Sequence, residues 1–401
     1  VWIFLFRSPF DLKFKFLVTF SGFALYEYVV MARNYGISML IMFILAIIFS
    51  NEKLRNKYTG ILLFILANTN IHSAILCFMF VLGWALNVIC EKREWKILYF
   101  RPVIFNSIIM FLGVMISFAT VYPPFVQSAS SLSEKNRNIK NIRKVLNVST
   151  QFYDLSHEPI FGVIDSFLYS DNKHKVLKNI KTDHFINDED DENIRKISID
   201  LESKATHYSK GVFKIFLSVL IYAVPLCLLS SVGWMVSAYA SLFSFSLFFQ
   251  FIYPGCYRHQ ALWLVFVIML WWIEKSTLKE NYELNFTARK KKLISIGTFS
   301  LYGLLFLQDI NGIIFCYAEK FGNPKSPAAD FSEFFLKHPE WKNAIILDSP
   351  DYLHVPMFYY IKNKMFMIAQ DKYGIVSPYA PIGNHNYDLD YVLNIAEKIN
   401  Y

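Results

Sequence analysis

Charge is scarce in this sequence: Asp, Glu, Lys and Arg make up 18% of its 401 residues, where an ordinary globular chain carries roughly a quarter. That shortage excludes a cytosolic enzyme, and the apolar content excludes an intrinsically disordered chain. Cysteine is scarce as well. Cys77, Cys90, Cys227, Cys256 and Cys316 lie scattered in or beside apolar runs, with no C-x-x-C pair or other metal-ligand spacing. They exclude a disulfide-stapled secreted domain and read as small core residues. Walker A, G-x-G-x-x-G, H-E-x-x-H and G-x-S-x-G signatures are all missing. Without the first, transport driven by ATP hydrolysis in this chain is out. The sequence holds no internal repeat and no low-complexity tract.

What is abundant is hydrophobic. Apolar residues make up 54% of the chain, with 39 Phe, 24 Tyr and 8 Trp, and the mean hydropathy is +0.32. They gather into long runs, the pattern of a polytopic membrane protein. The net charge of +8 does not point to nucleic acid, because the basic residues concentrate in short loops flanking those runs. The chain opens at Val1, already inside an apolar stretch, and is expected to be a fragment whose natural N-terminus lies upstream.

A helix crosses the hydrocarbon in about 20 residues. That ruler predicts spans near 15–32, 35–50, 59–73, 74–90, 103–122, 212–231, 234–252, 259–273 and 293–310. The run 59–90 is interrupted by Asn68-Thr69-Asn70-Ile71-His72, so it reads as two short helices with a polar tip, one long tilted helix being the alternative. Loop charge favours the hairpin. The loops 51–58, 91–101 and 274–292 are all basic, the last ending in Arg289-Lys290-Lys291-Lys292. The positive-inside rule puts all three in the cytoplasm, and the first two share a side only if 59–90 turns back. The segments 123–211 and 311 onward then fall outside.

The expected fold is an all-α polytopic membrane protein of about 8–9 transmembrane helices with a small extracytoplasmic α/β C-terminal domain. Its divisions are N-terminal membrane helices over 1–122, an extracytoplasmic loop over 123–211, C-terminal membrane helices over 212–317, and a small soluble domain over 318–401. The loop has too few large aliphatics for a core of its own. In the tail, Ala344-Ile345-Ile346-Leu347 reads as a strand ending at Asp348, followed by a short helix near 353–362, a strand over Met365–Ala369 and a helix near 388–399. That is a βαβ-like order.

Ionisable residues at membrane depth are costly, so each is a candidate for function. Three clusters qualify, all near the outer face. In Tyr26-Glu27-Tyr28 through Arg33-Asn34-Tyr35-Gly36, an α-helical period would put Tyr26 with Arg33, and Glu27 with Asn34, on shared faces. Arg33 offers a planar donor fork suited to a phosphate, or else snorkels to the headgroups. In Asn68-Thr69-Asn70-Ile71-His72, polar groups at a hairpin tip hydrogen-bond a hydroxylated ligand or else cap two helices. In Tyr253-Pro254-Gly255-Cys256-Tyr257-Arg258-His259, a turn opens a helix with Arg258, a ready anion site, or an Arg that only reaches headgroups. Weaker candidates are Asp154, His157, Glu158 and Asp165 in the large loop, the acidic run Asp188–Glu192, and Asp348 and Asp351 after a strand.

These three clusters, with a soluble domain after the last helix, resemble the C-type glycosyltransferase superfamily. The similarity is to bacterial protein mannosyltransferase and aminoarabinose transferase-like membrane proteins. It covers most of 8–400 through short motifs. The resemblance implies an outward-facing site in the bacterial inner membrane and a polyprenyl-phosphate-linked sugar donor. It places Arg33 and Tyr35 near the lipid phosphate, with Glu27, His72, Arg258 and His259 as further substrate-binding candidates. The family's catalytic carboxylate lies in the first outer loop, which would be upstream of Val1, so no catalytic residue is named here. No metal ligand and no cofactor is identified, a divalent ion being left open, and neither nucleotide nor nucleic acid is expected.

The expected function is transfer of a sugar from a polyprenyl-phosphate donor to an extracytoplasmic hydroxyl or amine. An O-antigen or exopolysaccharide polymerase is the second reading. A lipid or glycan transporter ranks third, because matched broken helices in two pseudo-symmetric halves are not seen.

Overall fold

The computed structural model describes residues 1–30, 34–92, 97–121, 216–252, 255–277, 286–321, 328–348, 357, 360–368, 371–374 and 387–400. They fall into two units, one holding the described residues up to Cys316 and the other those from Tyr317 onward. Arg33, Asp351 and the loop 123–211, with Asp154, His157, Glu158, Asp165 and the acidic run, lie outside the described residues.

The first unit is helical. Its opening differs from the single span expected over 15–32. Two short helices, α1 (Trp2–Arg7) and α2 (Leu12–Phe20), flank Pro9, and the Asp11 carboxylate caps α2 by accepting the Phe14 N–H at 2.7 Å. At Ser21-Gly22 the backbone passes close to its neighbours. A Cβ on Gly22 would lie 2.9 Å from the Tyr257 hydroxyl and 3.2 Å from the Gln308 carbonyl oxygen, so only glycine fits. Phe23–Val30 then winds as a π-helix; the face-sharing expected for Tyr26 with Arg33 and Glu27 with Asn34 runs through 31–33, outside the described residues.

Helix α3 (Tyr35–Ser50) reaches α4 (Glu52–Ala67) through Asn51 alone, whose Oδ1 accepts the Lys53 N–H at 3.1 Å. Asn68-Thr69-Asn70 separates α4 from α5 (Ile71–Lys92). The run 59–90 therefore makes two helices, as the loop charges require. Helix α6 (Ile97–Val121) lies along α4 where Gly60 and Gly113 let the backbones approach. A Cβ on Gly113 would sit 2.9 Å from the Phe64 Cα, the small-residue packing of helices in lipid. After α7 (Phe216–Leu228), which ends in a 3₁₀ turn at Val224–Leu228, come α8 (Val232–Phe251), α9 (Tyr257–Thr277) and α10 (Ala288–Phe321).

Four segments are long and apolar enough to cross a membrane: Ile71–Lys92, Tyr99–Ala119, Val232–Phe251 and Ala288–Ile310. Helix α6 turns Phe105, Ile108, Leu112, Met115 and Phe118 outward, a contiguous apolar stripe that water would not tolerate and lipid does. Helix α9 is the opposite case. Every residue from His259 to Glu274 is buried, so it forms the axis of the unit, with α3, α5, α8 and the π-helix packed against it. A helix apolar all round is buried on all sides. Phe4 and Phe43 meet Trp272 on this axis, and the Trp263 indole donates to the Ala238 carbonyl at 3.1 Å.

The helices alternate in direction, which gives the unit two unlike ends. At one, Gly60 N–H meets Asn106 near Arg55 and Arg101, Asn87 holds Ser231 and Gly233, and Gly297 of α10 lies against Leu226 and Cys227. Lys53, Arg55, Lys57, Lys92, Arg101 and the Arg289–Lys292 run belong to this end. At the other, Tyr28, Asn34-Tyr35, 68–73, 255–260 and 308–312 meet, and Arg258 lies among them.

The second unit is a small α/β fold. Strands β1 (Ile346–Asp348) and β2 (Met365–Met367) pair in parallel with Ile346 opposite Met365, and β3 (Lys372–Tyr373) adds antiparallel to β2. The two strands pair in parallel as a βαβ-like order expects, both shorter than anticipated; of the helix expected near 353–362 most lies outside the described residues, and 360–362 are not helical. Successive β2 side chains take opposite faces. Met365 joins Phe335, Met357 and Ile361 on one, and Phe366 joins Ile368 and Ile395 on the other. Helix α11 (Ala328–Leu336) supplies Phe335, and α12 (Leu389–Asn400), capped by Asp388 accepting the Tyr391 N–H at 2.8 Å, supplies Ile395.

Candidate functional site

The three sequence-distant clusters meet at the end of the first unit that carries Arg258. Tyr35 opens α3, His72 lies in the first turn of α5, and Arg258 and His259 lie in the first turn of α9. The rings form a continuous series. Tyr28 stacks on Tyr35 with centroids 6.1 Å apart, Tyr35 meets His259 edge-on at 5.3 Å, and His259 stacks on His72 at 4.5 Å and 15°. Phe245, Phe248 and Phe249 of α8 wall His72 at 5.2–5.7 Å. Tyr28 also donates its hydroxyl to the Arg258 carbonyl at 3.0 Å, which ties the π-helix to the start of α9. Arg258 itself is half-buried and precedes His259 in the first turn of α9.

Local hydrogen bonds explain why these elements start where they do. Asn34 donates to the Thr69 carbonyl at 2.5 Å, and the Ser38 and Thr69 hydroxyls lie 2.8 Å apart. Asn70 donates to Ser38 at 2.9 Å and accepts the Ser73 N–H at 2.8 Å, capping α5. This network staples the α4–α5 tip to the start of α3. The polar residues of the tip therefore do the capping that was the alternative to ligand binding, with one exception. His72 is 3% exposed, and among the described residues neither ring nitrogen has a hydrogen-bond partner. Buried polar atoms without partners are rare and costly, at about 1–3 kcal/mol each.

The start of α9 is held by its own residues. The His259 Nδ1 accepts the Cys256 N–H at 3.0 Å and lies 3.1 Å from the Cys256 thiol, while Gln260 donates to the Gly255 carbonyl at 2.9 Å. An Nδ1 that accepts places the ring proton on Nε2. Cys256 is thus no plain core residue, a correction to the reading of all five cysteines as core. What the arrangement offers is a helix N-terminus and a guanidinium, both favouring an anion. It does not offer a metal site. Nearly parallel imidazoles 4.5 Å apart aim their in-plane lone pairs along separate planes, which do not converge on one ion at about 2.0–2.1 Å. Among the described residues no group of three His, Cys, Asp or Glu could hold a metal.

Of the sequence-named candidates, Tyr35, His72, Arg258 and His259 are brought together. Glu27 lies in the adjoining π-helix beside Tyr28, and Arg33 is outside the described residues. Gln308 and Asp309 on α10 escaped the sequence reading. The Tyr257 hydroxyl donates to Gln308 Oε1, and Asp309 is 7% exposed with its Oδ1 unpartnered. The signal was available, a carboxylate and an amide in the last turn of the span expected over 293–310. No family model, no curated protein and no solved structure matches this chain.

Proposed function

We propose that this chain is an integral-membrane glycosyltransferase, moving a sugar from a polyprenyl-phosphate donor to an acceptor hydroxyl or amine outside the cytoplasm. In this reading the shorter helices cross the membrane together with the four long ones, giving about 8–9 spans, and the α/β unit lies on the acceptor side. The observation that carries it is the position of Arg258. Basic residues crowd one end of the bundle, and Arg258 stands at the other, on a helix N-terminus next to the buried His259. The positive-inside rule puts that end away from the cytoplasm.

The chemistry is displacement at the anomeric carbon. The acceptor oxygen or nitrogen forms its bond to that carbon as the bond to the phosphate oxygen breaks; the acceptor's proton passes to a carboxylate base of the kind the family resemblance implies, which is not among the residues named here, and the electron pair leaves on the lipid phosphate. Arg258 and the α9 N-terminus offset the charge developing there.

The test is transfer from labelled polyprenyl-phosphate sugars in proteoliposomes. Arg258→Ala should lower turnover by roughly 100-fold or more, with Arg258→Lys retaining part of it because the charge survives without the fork. A wild-type protein that transfers no sugar, or an Arg258→Ala variant with unchanged turnover, sinks the proposal.

A further inference from the structure

The second unit carries more apolar surface on α11 than its own core uses. Ser332 and Phe335 turn inward, and Phe335 packs with Met357, Ile361 and Met365. Phe331 and Phe334, three residues apart and so on one side of the helix, are 42% and 53% exposed. His338 continues the same side, and its ring meets Phe334 edge-on at 5.0 Å and stacks on Trp341 at 4.0 Å. Trp341 in turn lies 5.7 Å from Phe334. Elsewhere on the helix, Glu333 and Lys337 form an exposed ion pair at 2.9 Å. One ledge is thus aromatic, bordered by Glu340, whose carboxylate lies 2.9 Å from His338 Nδ1, and the flank away from it carries the Glu333–Lys337 pair.

We infer that this ledge rests on the lipid surface, with Phe331 and Phe334 at the boundary of headgroups and acyl chains, His338 and Trp341 at headgroup level, and Glu333 and Lys337 in water. Three observations favour lipid over other occupants. Trp341 is of the type that gathers at membrane interfaces, an apolar body with a polar tip, and exposed Phe is typical of the apolar face of a helix lying at that boundary. The apolar run of α10 continues through Ile313-Ile314-Phe315-Cys316-Tyr317-Ala318 to Glu319-Lys320, and α11 opens at Ala328. Helix α10 runs to Phe321, and the six residues 322–327 before α11 reach about 24 Å from Phe321 to Ala328 at full extension, so α11 is leashed to the end of a membrane helix. Finally, two half-exposed phenylalanines fall far short of the roughly 1,200 Å² that a stable protein pair buries. Because the charged flank is a neutral pair, docking is apolar and calls for no anionic lipid. This inference does not depend on the transferase reading.

The experiment places a photoreactive ring in the full chain, Phe334→p-benzoylphenylalanine and, in a second variant, Phe331→p-benzoylphenylalanine, in phosphatidylcholine proteoliposomes. Mass spectrometry identifies the adducts after irradiation. Lipid adducts at both positions, roughly tenfold above those at Glu333→p-benzoylphenylalanine as the water-side control, are expected. Cross-links to another segment of the same chain, or to a second copy, overturn the inference, as does a lipid yield no higher than at position 333. If the Phe334 variant fails to fold, the Phe331 variant decides alone.

Discussion

The imidazoles of His72 and His259 lie almost parallel, 4.5 Å apart, although α5 and α9 come from opposite halves of the chain. The two rings differ sharply in what holds them. His259 is tied by its Nδ1 to the Cys256 amide, while His72 sits among phenylalanine edges with both nitrogens unpartnered. A stable protein that keeps such a group is storing unfavourable energy at one place, which is common where a site must do chemistry.

That contrast gives a prediction. His72→Phe removes the two unpartnered nitrogens and keeps an aromatic ring for the stack, so the melting temperature in detergent should equal or exceed that of the original protein, by up to about 1–3 kcal/mol of stability. Sugar transfer should be lost in the same variant. A protein that melts lower and still transfers would show His72 to be a packing residue.

Asn70 should behave in the reverse way. Its Oδ1 caps α5 through the Ser73 N–H, and Asn70→Ala should cost about 1 kcal/mol, read by thermal melting, with turnover per folded molecule unchanged. Asn70→Asp should restore the cap. Loss of turnover in a folded Asn70→Asp protein would argue that the amide meets substrate.

The α5–α8 crossing is tight and the middle of α10 is open. A Cβ on Gly83 would lie 2.7 Å from the Ser237 Cβ and 2.8 Å from the Trp234 ring, whereas one on Gly303 meets nothing within 4 Å. Gly83→Ala should therefore destabilise by about 1–3 kcal/mol. Gly303→Ala should be neutral or stabilise by about 0.5–1 kcal/mol through helix propensity. Equal melting temperatures for the two variants would contradict this packing.

Asn87 on α5 accepts from the Ser231 hydroxyl at 2.7 Å and from the Gly233 N–H at 2.9 Å. Asn87→Ala strands both donors and should cost about 1–3 kcal/mol, while Asn87→Asp keeps both acceptor contacts and should recover most of it. Matching melting curves for the two variants would show that these donors find other partners.

Much of the architecture was legible because apolar runs and basic loops are long-range signals that do not depend on local detail. The hairpin at 59–90 followed from requiring Lys53, Arg55 and Lys57 to share a side with Lys92 and Arg101, and α4 and α5 turn at Asn68-Thr69-Asn70 as that requires. The meeting of Tyr35, His72 and His259 could be suspected from polar residues at the ends of three apolar runs, but no sequence period reports which ends touch. The break at Ser21-Gly22 was hidden, since what forces it is the Tyr257 hydroxyl and the Gln308 carbonyl, both far along the chain. The π-helix was hidden too, because Phe23–Val30, apolar but for Glu27, carries no period that separates a π-helix from an α-helix. Cys256 was misread because composition alone cannot distinguish a buried thiol from one against an imidazole. Helix α11 went unseen: its nine residues give too few turns for periodicity to show.

The encirclement of α9 also has a consequence for biosynthesis. A chain made from its N-terminus releases α3 and α5 into the bilayer long before α9 exists, and α10 follows after it. Until α9 arrives, the faces of α3 and α5 that will clasp it must be covered by lipid, and α9 must displace that lipid on entry. Lateral pressure and acyl-chain composition should therefore set how quickly the newly made protein matures, even where they leave its finished stability untouched.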